Sequence, residues 1–224
     1  MYRLILDLSE VWALFIPLTV YYLKKEKNSY LPLIIAYLYC ALLLNTVADI
    51  IQKISNPSLP FLFRYNNWLY NIHSIVRTIL FLLFFKSIIT KFKFFKPNLV
   101  MGLFATVVIA TFYKYENFFY INPRLFAFEG IILLFCCMLF FLQRMRDEEL
   151  YLDFDAQLII TTGLMIYEGI NFFIFLFYKI LTQKERSFAI NIWDVHNISF
   201  IIFCVFIAYA FYGRPKNGLS LNHL

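Results

Sequence analysis

The sequence predicts an all-α, polytopic integral membrane protein: a bundle of seven transmembrane helices with the N-terminus outside and the C-terminus in the cytoplasm. Three observations carry that prediction. Of 224 residues, 62% are hydrophobic and only 15% charged, and the mean hydropathy is +0.70, well outside the range of water-soluble domains. Seven stretches approach the roughly 20 apolar residues that a spanning helix needs. The Lys and Arg residues gather at the ends of those stretches instead of on one helix face, as membrane anchoring requires.

The first stretch, 6–23, lies in MYRLILDLSEVWALFIPLTVYY. It carries one early Arg, then Asp7 and Glu10, and no small-residue cleavage site, so it reads as a spanning helix and not as a removable signal peptide. KKEKNS leads to the second, 30–52, and the turn-rich NPSLP to the third, 67–89. KFKFFKP precedes the fourth, 98–114, and YENFFYINP the fifth, 124–143. RMRDEELYLDFD separates the fifth from the sixth, 156–178, and TQKERS the sixth from the seventh, 193–212. Pro32, Pro97 and Pro123 fall at helix starts, where a missing N–H costs little. No alternating strand pattern is present, and in lipid the backbone must satisfy itself, which leaves a helical bundle.

With six Gly, seven Pro and no low-complexity tract or internal repeat, residues 1–224 form one domain. Cys40, Cys136, Cys137 and Cys204 all sit inside apolar runs, without metal-type spacing, and read as small apolar fillers. The net charge of +6 and pI near 9.1 reflect helix ends, not a nucleic-acid footprint. Eleven Lys and Arg flank one side of the bundle and eight the other, which sets the orientation given above by the positive-inside rule. The expected location is the cytoplasmic (inner) membrane, with the lipid bilayer as the first partner.

Alternating helix direction turns scattered polar residues into a layer in the outer half. Asp7 and Glu10 belong to the first helix; Asn45 and Asp49 lie one turn apart on the second. Asn66, Tyr70, His73 and Arg77 form a stripe on the third at helical spacing. Glu129 comes from the fifth helix, Glu168 and Asn171 from the sixth, and Asp194, His196 and Asn197 from the seventh. A charged residue at a helix centre costs roughly 2.5 to 3.5 kcal/mol, so such residues face the interior and pair. Arg77 and Glu168 lie nearest the midplane and are expected to form an ion pair or share a water-filled cavity. The expected ligand-binding set is Asn45, Asp49, Tyr70, His73, Arg77, Glu129, Glu168, Asn171, Asp194, His196 and Asn197.

His73, His196 and Asp49 are the candidate metal ligands, fitting zinc or iron, although no HxxxH, HExxH or ExxH spacing occurs. No lysine lies between residues 193 and 212, so a retinal Schiff base has no attachment point there. Gly-rich phosphate loops and a GxSxG elbow are also absent. RDEELYLDFD is a solvated loop or a docking surface for a cytoplasmic signalling partner.

The pattern GLMIYEGINFF followed by IWDVHNISFIIF resembles seven-helix membrane proteins of Bacteroidetes-type bacteria, some of them associated with sensor kinases. That resemblance covers about a quarter of the chain, implies a receptor-like sensory part, and assigns no residue. Asp49 with His73 and His196 is also similar to intramembrane hydrolases of the lysoplasmalogenase, alkaline ceramidase and adiponectin-receptor kinds, whose ceramidase group holds zinc. The second His of the last helix and the Ser and His pairing of the second helix are missing here. Three functions follow as expectations: a receptor-like protein binding a small ligand in the outer half, an intramembrane metal-assisted lipid hydrolase, or a proton-coupled transporter.

Overall fold

The computed structural model describes residues 2–24, 31–54, 60–92, 96–115, 117–146, 155–184 and 186–213. Parts of the polar links, including residues 147–154 of the acidic segment, and the tail from residue 214 with His223, lie outside the described residues. Among the described residues every regular element is helical: α1 (Tyr2–Asp7), α2 (Ser9–Trp12), α3 (Phe15–Lys24), α4 (Leu31–Ile54), α5 (Phe61–Arg64), α6 (Asn67–Ile88), α7 (Pro97–Ala110) with a π-helical turn (Thr111–Tyr115), α8 (Pro123–Met145), α9 (Ala156–Leu176), α10 (Tyr178–Lys184) and α11 (Arg186–Tyr212). Six helices are long and apolar enough to cross a membrane: α4, α6, α7 with its π turn, α8, α9, and α11 from Asn191. The chain is a polytopic helical membrane protein.

Local sequence accounts for the boundaries. Pro123 opens α8 behind Asn122, whose side chain accepts from the Leu125 N–H. Asp155 caps α9 by accepting from the N–H groups of Gln157 and Leu158, which satisfies donors that a helix start leaves free. α11 begins at Arg186 rather than near residue 193, and α10 precedes it. TQKERS contains neither Gly nor Pro, so nothing in it stops a helix.

The first segment is not one helix. It breaks at Leu8 and again at Ala13 and Leu14. Pro17 explains the second break: it offers no N–H to the Ala13 carbonyl, and its ring crowds that oxygen. The Ile16 N–H reaches back to Ala13 instead, at 3.2 Å, and Ala13 and Leu14 are fully buried there. At the first break the Trp12 indole donates to the Ile5 carbonyl at 2.8 Å.

α4, α6, α8, α9 and α11 pack successively side by side, and α2 and α3 close the circuit, α2 against α4 and α11 and α3 against α11. The core is aromatic, with Tyr37, Phe81, Phe84, Phe85, Phe140, Tyr167, Phe200, Phe203 and Phe211 among its fully buried side chains. α9 and α11 approach closely at Gly163, where a Cβ would lie 2.5 Å from Phe206 Cβ. α7 stands outside the circuit against α6 and α8; Phe104 is its one buried side chain, while Leu99, Leu103 and Ile109 are exposed. That exposure suits lipid.

Candidate functional site

The ends of α4 and α9, the starts of α6, α8 and α11, and the broken first segment meet at one end of the bundle. Arg77 lies about 15 Å along α6, at 1.5 Å per residue, near the middle of a helix that spans the membrane. It is 6% exposed. Its Nε donates to Glu129 Oε1 at 2.7 Å, and its Nη1 donates to the Tyr167 hydroxyl at 2.6 Å. Glu168 Oε1 lies 3.5 Å from the same Nε. Ser74 Oγ, one turn earlier on α6, donates to Glu129 Oε2 at 2.5 Å. The expected pair between Arg77 and Glu168 is therefore present as the longer arm of a three-way cluster, and Glu129 takes the stronger hydrogen bond. Glu129 and Glu168 are both essentially inaccessible, and Glu168 Oε1 has no hydrogen-bond partner.

Above this cluster sits a cavity whose void is about 480 Å³ including its mouth, and which leaves about 40 Å³ for the centre of a water molecule. A water needs roughly 10 to 15 Å³ of such space, so the cavity has room for a few waters or one small ligand. Its polar lining is Glu10, Asn45, Tyr70, His73, Ser74, Arg77, Tyr167 and His196; its apolar lining is Ile121, Phe126, Phe175, Trp193 and Phe200.

His196 forms a second network. Its Nδ1 is 2.6 Å from Asn171 Oδ1, while Asn171 Nδ2 donates to the Tyr167 carbonyl at 2.8 Å. The Asn171 oxygen must accept, so Nδ1 carries a proton. His196 Nε2 then points at Glu10 Oε1, 3.3 Å away. The ring stacks on Trp193 with centroids 5.1 Å apart, and Phe175 and Tyr167 flank it. Ser199 Oγ donates to the His196 carbonyl. His73 stacks parallel to Tyr37, and its buried Nε2 has no hydrogen-bond partner.

Neither network includes every residue of the expected set. Asn45 lines the cavity and also donates to the Glu10 carbonyl at 3.0 Å. Asn197 donates to the Leu6 carbonyl at 3.0 Å, and Asn66 to that of Ala48; both serve the backbone outside the cavity's lining. Asp49 and Asp194 are partly exposed and do not line the cavity, and Asp7 is exposed. Among the described residues no three His, Cys, Asp or Glu side chains gather as metal ligands, so His73, His196 and Asp49 are not brought together as the expected metal site. The four cysteines are free, and Cys136, Cys137 and Cys204 are buried.

No family model, curated protein or solved structure matches the chain. The site's chemistry therefore rests on its geometry. Sequence reasoning left Ser74, Tyr167, Trp193 and the phenylalanine walls out of the set. Helical spacing points to the first three: Ser74 precedes Arg77 by three residues, Tyr167 precedes Asn171 by four, and Trp193 precedes His196 by three, each pair sharing a face.

Proposed function

We propose that this chain is a receptor-like membrane protein that binds a small ligand in the cavity above Arg77. One observation carries the reading: a cavity lined jointly by α2, α4, α6, α8, α9 and α11, with the His73 Nε2 unpartnered in its wall. A ligand touching that many helices acts by preferring one arrangement of them over another. In this reading the broken first segment is a seventh crossing and the cavity opens on the outer side of the cytoplasmic membrane, which the excess of Lys and Arg at the opposite end supports. A cytoplasmic partner then reads the change at the inner loops.

The test is thermal unfolding in mild detergent across a panel of water-soluble amines, carboxylates, sugars and nucleosides. At least one class raises the unfolding temperature of the native protein. The same compound has no effect on Ile121→Trp, which fills the cavity without removing a hydrogen bond. A panel without any stabilising compound, or stabilisation that survives Ile121→Trp, overturns the reading.

A further inference from the structure

The end of the bundle opposite the cavity carries a second opening, between the last turn of α6 and the start of α7. Lys86, Ile89, Lys96, Pro97, Asn98 and Leu99 line it, and its void is about 820 Å³ including its mouth. Its charge is one-sided. Lys86, Lys91, Lys93 and Lys96 follow one another closely, and no Asp or Glu occurs between Asp49 and Glu116, so this hairpin supplies no counter-ion of its own. Asp155, the carboxylate that the described residues place at this end, is engaged by Arg144 and caps α9. Lys86 Nζ donates to Asn98 Oδ1 at 3.2 Å, which holds the ammonium over the cleft and leaves two of its three N–H groups for a further acceptor. The turn itself is fixed. Gln143, buried in α8, accepts from the Thr90 and Lys91 N–H groups at 2.9 and 3.0 Å and donates to the Ile88 carbonyl at 2.9 Å. Phe92 is buried beside it under the Arg146 guanidinium. A cleft held in this way loses little freedom when a ligand enters.

Depth narrows the ligand. α6 and α7 are both long and apolar enough to span the membrane, and the 22 residues of α6 cover about 33 Å, close to the roughly 30 Å of a hydrocarbon core. Lys86 in the last turn of α6 and Lys96 just ahead of α7 therefore stand at the level of lipid headgroups. Leu99 and, one turn on, Leu103 are exposed on α7 and continue the cleft's wall toward the bilayer centre. We propose that this cleft binds an anionic phospholipid, its phosphate between Lys86 and Lys96 and an acyl chain along Leu99 and Leu103. Lysine serves phosphate as a compact point charge. A zwitterionic headgroup would bring its own cation against the two ammonium groups, so the site selects a headgroup of net negative charge. A small soluble anion has the charge but not the apolar body that the two leucines meet.

Native mass spectrometry of the full chain released from mild detergent micelles tests this, with dioleoyl phosphatidylglycerol and dioleoyl phosphatidylcholine added in turn. The native chain retains phosphatidylglycerol more tightly than phosphatidylcholine. Each lysine beside an anionic headgroup contributes about fivefold, so Lys86→Gln combined with Lys96→Gln weakens phosphatidylglycerol by about 25-fold. Lys53→Gln combined with Lys179→Gln removes the same charge at the cavity end and leaves retention as it was. All four lysines are exposed, so both double variants keep the fold. Equal retention of the two lipids by the native chain, retention of neither, or equal losses in the two double variants overturns the proposal. Displacement of phosphatidylglycerol by an equal concentration of glycerol 3-phosphate also overturns it, and assigns the cleft to a free phosphate.

Discussion

At the scale of single residues, Arg77 determines whether the bundle's centre is charged and paired. Removing one partner of a buried ion pair leaves the other uncompensated, which costs about 3 to 5 kcal/mol. Arg77→Ala is expected to lose that much, and Arg77→Lys to recover only part of it, because an ammonium cannot reach Glu129 and Tyr167 with the planar fork that Arg uses. Reversible unfolding in mixed micelles measures both, and an unchanged midpoint for Arg77→Ala would contradict the buried cluster. That Arg77 needs a carboxylate was legible in the sequence, since a guanidinium ten residues into an apolar run has few other options. The choice of Glu129 over Glu168 was not. Both glutamates sit on helices packed near one another, and only the rotation of α8 about its axis, set by its packing against α6, decides which one meets Nε first. Asp49 and Asp194 show the reverse failure: correct depth, but a helix face turned away from the cavity.

At the scale of elements, helix positions were largely legible because hydropathy and length are local properties. α4, α6, α8 and α9 begin and end within about two residues of the expected spans. The break in the first segment was not legible in this way, although its cause, Pro17, stands in the sequence; a hydropathy window counts proline as one residue among many and is blind to the carbonyl it strands four residues earlier. Close helix approach was likewise illegible, since it depends on what lies across the interface. Gly163 makes the point testable. A methyl group there would meet Phe206 Cβ at 2.5 Å, so Gly163→Ala should separate α9 from α11 and cost about 1 to 3 kcal/mol. Gly102→Ala on α7 is the control: nothing lies within 4 Å, and helix propensity alone favours the change by up to about 1 kcal/mol. Equal behaviour of the two variants in thermal unfolding would show that α9 and α11 are not in contact at this point.

At the scale of the whole molecule, the gathering of polar side chains at one end gives the bundle a polarity that the membrane must read. Tyr65 lies exposed beside the cavity end and Lys86 is exposed at the far end of α6. With Cys40 replaced by Ser, a membrane-impermeant thiol reagent applied to intact cells is expected to label Tyr65→Cys and to leave Lys86→Cys unlabelled until the cells are opened; the opposite pattern would turn the cavity toward the cytoplasm. Membership of a polar layer was legible at this scale because helices alternate in direction, so depth follows from counting. Which members share a cavity depends on helix order around the bundle, which no count supplies. The short helix bearing Glu10 is held by the Asn45 side chain on the Glu10 carbonyl, by His196 Nε2 beside Glu10 Oε1 and by packing against α4 and α11, with Asn197 on Leu6 just before it. Ser9, Ala13 and Leu14 around it are fully buried, so displacing this wall means exposing side chains that the core has taken out of contact with its surroundings. Opening the cavity on this side therefore draws on the same packing that holds the bundle together.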